Sequence, residues 1–191
     1  YPTRVRSTSK SSWISNVGGV YETEDFNDMT LNPGISFVAP NGGIVPPVFS
    51  DWVSRGEGST FFHFATPMKG VGANWDLTPF NSGQGVQIRL YYTTEDDEDL
   101  RFELPNDADG DFFGVVSDIP IGAIRITGGT QQYVGGENSD YAEERYTADD
   151  LVYSPFGGED PPPVGEVPEP ATMLLTGLGL TAAAWKARRR P

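Results

Sequence analysis

Residues 85–92 read GVQIRLYY, and this short stretch decides the fold class. Val86, Ile88 and Leu90 alternate with Gln, Arg and Tyr, which is the two-residue period of a strand with one buried face. Residues 122–127, GAIRIT, repeat the pattern. Because antiparallel sheets commonly cover a core on one side and meet water on the other, these two segments predict antiparallel pairing.

Further strand-like segments extend this pattern in both directions along the chain. Turn residues separate them at 41–43, 79–85, 107–110 and 128–129. No ten-residue window before residue 171 has a clean helical period, which disfavours a parallel βαβ fold. The sequence therefore predicts an all-β domain over residues 13–156, an antiparallel, jelly-roll-like β-sandwich of about nine strands in two sheets. The other predicted strands are residues 20–26, 35–39, 59–65, 69–77, 100–104, 112–117 and 150–154.

Composition limits the classes of function. The chain has 191 residues, with 13 Lys and Arg against 27 Asp and Glu and a formal net charge of −14. Binding to nucleic acid phosphates needs clustered cations, so nucleic acid is not a predicted partner. The absence of cysteine excludes disulfides, thiolate metal sites and a cysteine nucleophile.

The C-terminal part changes composition abruptly. Residues 157–166 form a Pro-rich linker, since proline removes donors and stiffens the backbone. Residues 171–185 carry no charge and predict a short transmembrane helix, although a helical span of about 22 Å is also compatible with a terminal core helix. The basic tail 186–191 favours the membrane, because its cations would lie at the cytoplasmic side and orient the domain outward. Those cations are Lys186, Arg188, Arg189 and Arg190.

The first twelve residues, YPTRVRSTSKSS, are polar and basic and lack the apolar core of a secretory signal. We expect residues 1–12 to be a flexible segment, either at the start of a fragment or behind a signal already removed.

The apolar segment and the basic tail are preceded by a four-residue motif, Val167, Pro168, Glu169 and Pro170. With these three features in this order, the segment 167–191 resembles the PEP-CTERM sorting signal of Gram-negative bacteria. It implies export, transient anchoring in the inner membrane, recognition by an exosortase, and a place at the cell surface or in an exopolysaccharide or biofilm matrix. Such tails have also been named ice-binding protein C-terminal domains, a name that gives no reason to predict ice binding here.

The body is similar to the jelly-roll domain often found ahead of that tail. The similarity lies in residues 24–26, 64–77, 112–126 and 148–155. The acidic insertion TTEDDEDL at 93–100 departs from that pattern and predicts a variable hairpin.

Calcium is a prediction that comes from this resemblance. Jelly-roll sugar-binding modules commonly hold a structural calcium between their first and last strands, where Glu22 or Glu24 and Asp149 or Asp150 would supply carboxylates. A hard cation would relieve their mutual repulsion. The alternative is that these acids lie on a solvated edge; no other cofactor is predicted.

Histidine and serine give no catalytic pattern. His63 is the only histidine, and no spacing supplies it with a nucleophile or further metal ligands, so we interpret it as a strand-surface or core residue. Ser59 lacks the G-x-S-x-G context of a nucleophile elbow.

The acidic runs are predicted to be turns. Asp107, Asp109 and Asp111 alternate, but glycine and phenylalanine fall at the wrong positions for an EF-hand, leaving an acidic turn or a loose calcium site. Residues 95–99 are five consecutive acids, typical of a solvated hairpin tip, with weak cation binding as the alternative.

The sequence therefore predicts a non-enzymatic exported protein that is structural or carbohydrate-binding. Exposed aromatic side chains on one sheet face would support it. An exopolysaccharide hydrolase would instead need two carboxylates about 5–10 Å apart in a groove, and a protein-binding adhesin would need an exposed apolar patch. Five aromatic residues could stack on sugar rings or pack in the core: Trp13, Trp52, Trp75, Tyr91 and Tyr92.

Overall fold

The computed structural model of the chain describes residues 4–54, 58–78, 84–93, 100–130 and 143–157. These residues form ten antiparallel strands and one helix, which confirms an all-β antiparallel fold. The chain divides into two units, Tyr1–Gly158 and Glu159–Pro191, and the described residues all belong to the first. The elements are β1 (Arg4–Ser7), α1 (Lys10–Val17), β2 (Glu22–Glu24), β3 (Ile35–Val38), β4 (Gly43–Val45), β5 (Val48–Val53), β6 (Thr60–Asp76), β7 (Val86–Tyr92), β8 (Leu100–Leu104), β9 (Asp109–Gly128) and β10 (Glu144–Pro155).

Two long strands, β6 and β9, run through both halves of the sheet. The strand order is β4-β5-β10-β6-β9-β7-β8, with β1 paired to β9, β2 to β10 and β3 to β6. The pairing of β6 with β9 shifts register between His63 and Met68 and again before Gly70, and such bulges bend a strand. We call the part formed by β3, the start of β6, the end of β9, β7 and β8 the front layer. The back layer contains β4, β5, β2, β10, β1 and the remaining halves of β6 and β9.

The core lies between the front and back layers, as in a β-sandwich. The ring of Phe62 in the front layer lies 4.9 Å from that of Phe49 in the back layer, and Phe102 lies 5.5 Å from Phe113 in the same way. Full burial of each such ring contributes about 1.5–3 kcal/mol to stability. The alternating apolar residues of the two decisive segments are all buried: Val86, Ile88, Leu90, Ile124 and Ile126.

A short helix covers the outer side of the back layer. α1 begins after Ser9, whose hydroxyl oxygen accepts the N–H of Ser12 at 3.3 Å. Trp13 is fully buried against the sheet, and its Nε1 donates to the Val115 carbonyl at 3.0 Å. The ring fits because the strand beneath it carries Gly114, where an added Cβ would lie only 2.7 Å from Trp13 Cδ1.

The N-terminal region is more ordered than the sequence analysis predicted. Residues 1–12 were expected to be flexible, yet residues 4–7 form β1 against β9, and α1 begins at Lys10. An eight-residue helix with two buried apolar residues has too little periodic signal to be read from sequence. Helices this short are stabilised by tertiary packing rather than by propensity.

The strand count also differs in detail. The segments predicted at 59–65 and 69–77 are one strand, β6, and those at 112–117 and 122–127 are one strand, β9. A bulge interrupts the ladder locally and shifts the sequence period, and the same pair of strands resumes its pairing beyond it. The strands β4 and β5 were not predicted. Pro46 and Pro47 lie between them, and proline is depleted in strands because it cannot donate to the ladder. The jelly-roll subclass stays a prediction.

The hairpin predicted at the acidic insertion is consistent with the antiparallel pairing of β7 and β8. Its residues 94–99 lie outside the described residues, as do the linker 157–166 from residue 158 onward and the predicted transmembrane helix 171–185. In the part of the chain that the structure describes, we find no helix with the length and apolarity needed to cross a bilayer.

Candidate functional site

The outer side of the front layer carries a group of aromatic and arginine side chains. On β6, Thr60 and Phe62 are buried inward, which turns the intervening Phe61 and the following His63 outward. The same alternation turns Tyr91 on β7 and Arg125 on β9 outward. We call the surface formed by Phe61, His63, Tyr91, Arg89 and Arg125 the aromatic face.

Strand register brings these residues together from distant parts of the sequence. Phe61 lies opposite Arg125, and Arg125 lies opposite Arg89 on the next strand. In the adjacent row, His63 lies opposite Ala123, which in turn lies opposite Tyr91. Ala123 has a short side chain, and across β9 the ring of Tyr91 reaches that of Phe61, with centroids 6.0 Å apart.

The three rings form a connected, partly exposed cluster. Phe61 and His63 are stacked, with centroids 5.8 Å apart and an interplanar angle of 6°. Phe61 and Tyr91 have centroids 6.0 Å apart, and Tyr91 retains 38% exposure. Aromatic rings held at the surface offer apolar faces to the apolar side of a flat ligand. This arrangement suits stacking on a sugar ring.

Polar groups surround the rings and are held in place by hydrogen bonds. Arg125 donates from Nε and Nη2 to Ser59 Oγ at 3.0 and 2.9 Å, and its guanidinium lies 5.4 Å from the Phe61 centroid. Arg89 Nε donates to Gln87 Oε1 at 2.8 Å, and Gln87 Nε2 donates to Glu103 Oε1 at 2.7 Å. The first set of bonds fixes Arg125 beside the rings, and the second fixes Arg89, Gln87 and Glu103 farther across the same face.

Two residues considered for catalysis take part in this surface in other ways. His63 is exposed on the outer side of β6, which agrees with its interpretation as a strand-surface residue. Ser59 accepts the hydrogen bonds from Arg125. Neither arrangement contains the nucleophile and base pair of covalent catalysis.

The five aromatic residues considered for stacking on sugar rings lie in different parts of the fold. Trp13 and Trp75 are buried, and Tyr92 lies under Arg4, whose guanidinium is 5.0 Å from its ring. Trp52 is exposed on β5 in the back layer, where Arg145 lies over it at 5.8 Å. Only Tyr91 of the five lies on the aromatic face.

Sequence reasoning missed Phe61 and the two arginines of the face. The signal was present, since Arg89 and Arg125 occupy the polar positions of the two decisive segments. Their meeting on one surface depends on the neighbouring strands, which the sequence period does not specify.

The carboxylates predicted to bind calcium lie near the paired strands β2 and β10, in which Tyr153 is opposite Glu22. Glu24 is buried, and its two oxygens accept the N–H groups of Phe26 at 3.0 Å and Asn32 at 2.6 Å. Glu22 accepts the hydroxyl of Tyr153 at 2.9 Å; burial and this bond raise the pKa of Tyr153 to about 12. These two carboxylates therefore already have protein donors.

The acids on β10 have partners as well. Asp150 pairs with Lys10 at 3.1 Å, and Asp149 accepts the N–H of Asp150 at 2.7 Å. Burial raises the pKa of Asp149, and the carboxylates of Asp150 and Asp25 add to the rise. No set of three or more acids or histidines in the described ranges is arranged to hold a metal ion. Calcium binding by these four residues stays a prediction. The hydrogen bonds and the ion pair that their carboxylates already make do not favour it.

The alternating acids at the start of β9 lie in a turn region. Asp109 is the first residue of β9, and its Oδ1 lies 3.5 Å from the hydroxyl of Thr78. Asp76 accepts both the N–H and the hydroxyl of Thr78, at 2.7 and 2.6 Å. This pattern is typical of an acidic turn in which nearby N–H and hydroxyl groups donate to the carboxylate.

The sorting-signal residues lie outside the described residues: Val167, Pro168, Glu169, Pro170, Lys186, Arg188, Arg189 and Arg190. Residues 166–190 match the family model of the PEP-CTERM protein-sorting motif. This match confirms the resemblance noted in the sequence and indicates an exported, surface-directed protein.

Comparison with curated protein sequences found no match. Among solved structures, the chain is similar to a family 29 carbohydrate binding module, with 15% identity, coverage of 70% of this chain and 87% of that chain, and a TM-score of 0.46. CBM29_1 from Piromyces equi has 11% identity, coverage of 70% and 89%, and a TM-score of 0.47. A mutant of CBM29-2 complexed with mannohexaose has 14% identity, coverage of 70% and 90%, and a TM-score of 0.47. Identities of 11–15% and TM-scores of 0.46–0.47 do not carry a function from those proteins to this chain. The function proposed below rests on the aromatic face and the sorting motif.

Proposed function

We propose that this protein is an exported carbohydrate-binding module, sorted by an exosortase, that binds exopolysaccharide through the aromatic face. The observation that carries the proposal is the ring cluster of Phe61, His63 and Tyr91 on the outside of one sheet. Its function is non-enzymatic, either as a structural component of the extracellular matrix or as an attachment of the cell surface to that matrix.

The physical chemistry of the face supports sugar binding. A pyranose ring has an apolar side that can stack on the exposed ring of Tyr91, which Phe61 supports from the neighbouring position. The sugar hydroxyls need hydrogen-bond partners at the edge of this contact. Arg125 supplies a guanidinium beside the rings. Glu103 on β8, which accepts from the buried amide of Gln87, supplies a carboxylate farther across the same face. Since Arg125 is held by Ser59 and Glu103 by Gln87, little side-chain freedom would be lost on binding.

The surrounding surface supports binding rather than hydrolysis. Glycoside hydrolysis needs two carboxylates flanking one bond. Of the outward positions on β3, β6, β7, β8 and β9 in the described front layer, Glu103 supplies a carboxylate, and it is bonded to Gln87 and Thr130. A single carboxylate held in this way suits ligand positioning.

The proposed sorting route uses the C-terminal segment. The motif 167–170 would be recognised by an exosortase, while the apolar segment 171–185 would hold the precursor transiently in the inner membrane. The cations of residues 186–190 would keep the tail in the cytoplasm. The domain would thus be presented outside before its release to the cell surface or matrix.

The binding proposal is tested by calorimetric titration of the purified full chain with the producing organism's exopolysaccharide. Phe61→Ala combined with Tyr91→Ala should abolish the heat of binding. The matched control is Trp52→Ala, which removes an exposed ring that also lies under an arginine but belongs to the back layer. No binding by the unaltered chain, or equal binding by the double variant, would contradict the proposal; new reducing ends would indicate a hydrolase instead.

The sorting proposal is tested separately in the producing cells. Deletion of residues 167–170 should leave unprocessed precursor in the membrane fraction, whereas deletion of four linker residues, 161–164, should not. Normal release of the chain lacking 167–170 would contradict exosortase sorting. Replacement of Lys186, Arg188, Arg189 and Arg190 by Glu should alter protease accessibility, because it removes the charges that orient the segment.

A further inference from the structure

We propose that the polysaccharide bound at the aromatic face is anionic, with carboxylate-bearing sugars recognised by Arg125. This inference rests on the proposed function, because it names the ligand class of the same surface. The aromatic face carries several arginines, whereas the chain as a whole is strongly acidic.

Three arginines lie side by side on the front layer of a strongly acidic protein. Arg89 is opposite Arg125 on one neighbouring strand and opposite Arg101 on the other. The chain as a whole has a formal net charge of −14. Directly opposed residues have Cβ atoms about 4.5–5.5 Å apart, and like charges at this spacing disfavour the sheet. Arg89 and Arg101 also interact with other residues, so Arg125 is the member of the row that we assign to the bound anion.

Arg125 has the contacts expected of a binding residue. Its hydrogen bonds go to the neutral hydroxyl of Ser59, which accepts from two of its five N–H groups and leaves its charge uncompensated. Among the residues that the structure describes, no carboxylate lies within ion-pair distance of its guanidinium. The remaining N–H groups can bind a carboxylate by charge-assisted hydrogen bonds, for which the planar arginine fork is well suited.

The rings and Arg125 can act on the same sugar unit. The guanidinium of Arg125 lies 5.4 Å from the Phe61 centroid, and Phe61 is its cross-strand neighbour. Because Arg125 lies over the Phe61 ring, the exposed ring beside it is that of Tyr91, whose centroid lies 6.0 Å from that of Phe61. A uronate ring stacked on Tyr91 would direct its carboxylate toward Arg125. Strands are spaced about 4.8 Å apart. A polymer lying across them would meet Arg125, Arg89 and Arg101 in turn.

The test compares two polymers that share a backbone and differ in charge. Polygalacturonate and its fully methyl-esterified form are titrated into the full chain at low and physiological salt. We expect polygalacturonate to bind about tenfold or more tightly than the ester, with a difference that decreases as salt rises. Arg125→Gln should remove most of that difference, and Arg125→Lys should restore only part of it, because lysine keeps the charge but loses the fork.

Arg145→Gln is the matched control, since Arg145 also lies over an aromatic ring but on the back layer. It should leave the preference for polygalacturonate unchanged. Equal affinity for both polymers, or an equal effect of Arg125→Gln and Arg145→Gln, would overturn the anionic ligand class. If both polymers still bind through Phe61 and Tyr91, the proposed function stands; if neither needs those rings, the proposed function fails as well.

Two further probes distinguish recognition of uronate sugars from non-specific attraction of anions. Vesicles containing phosphatidylglycerol and a single-stranded oligonucleotide carry high negative charge without uronate rings. We expect neither to compete with polygalacturonate at physiological salt. Competition by either at equal charge concentration would overturn the inference in favour of non-specific charge binding.

Discussion

The rings of Phe61 and His63 lie parallel on the outer side of β6, with centroids 5.8 Å apart and 6° between their planes. The two residues are separated by one position, so the strand itself holds both rings on one side. Phe61 is the central member of the cluster, because it also contacts Tyr91 and Arg125. The aromatic face is thus organised around one side chain.

This central position predicts an order of effects among alanine substitutions. Phe61→Ala should weaken polysaccharide binding by about tenfold or more, equivalent to about 1.4 kcal/mol, while His63→Ala and Tyr91→Ala should each cost less. Affinity electrophoresis in gels containing the polysaccharide measures the order, with Trp52→Ala as the control. If His63→Ala costs as much as Phe61→Ala, the central role of Phe61 is wrong.

The helix α1 depends on glycine beneath Trp13. In Gly114→Ala, the new Cβ would lie 2.7 Å from Trp13 Cδ1 and 3.1 Å from Phe112, so the helix must shift. We expect overpacking to lower the free energy of unfolding by about 1–3 kcal/mol in urea denaturation. In the double variant Gly114→Ala with Trp13→Leu, the two losses should not add, because the clash has been removed. Full additivity would contradict this packing.

Asp149 should make stability depend on pH in a defined direction. Its pKa is raised in the folded state, mainly by burial, so it stabilises the fold when protonated. That contribution is fully present below the unfolded pKa of about 3.9 and is lost as the pH rises through the raised folded pKa. Asp149→Asn, which can still accept the N–H of Asp150, should therefore raise the melting temperature slightly at pH 7 and hardly at pH 3.

The control for this prediction is Asp28→Asn, which makes the same charge change at an exposed carboxylate bonded to the N–H of Thr30 at 2.6 Å. It should give a smaller change at pH 7 than Asp149→Asn. A gain for Asp149→Asn that is equal at both pH values would show that repulsion and burial of the charge are not its cause.

Calcium at β2 and β10 can be decided by melting temperature. If Glu22, Glu24, Asp149 and Asp150 bind the ion, millimolar calcium should raise the melting temperature over that in chelator, and Asp150→Asn should remove the rise. The ion would have to replace the backbone donors of Glu24 and the Lys10 pairing of Asp150. Because these carboxylates already have protein partners, we expect equal melting temperatures in both buffers. That result would show that calcium does not bind at this site.

The local features of this protein could be predicted from its residues alone. The alternation in residues 85–92 and 122–127 correctly predicted which side chains of β7 and β9 are buried, because the inward and outward sides of a strand follow from covalent geometry. The sorting motif at 166–190 is likewise a local pattern, readable without the fold. The helix α1 escaped prediction because its stability comes from packing on a glycine-lined sheet rather than from its own eight residues.

Which outward side chains share a surface depends on how the strands pair in the folded chain. Phe61, Tyr91 and Arg125 come from β6, β7 and β9, and each could have faced solvent alone. Period two fixes the side of the sheet on which a residue lies, but not which strand becomes its neighbour or in what register. Those choices depend on long-range pairing through the bulged strands β6 and β9, so the aromatic face exists only once the sheet has formed.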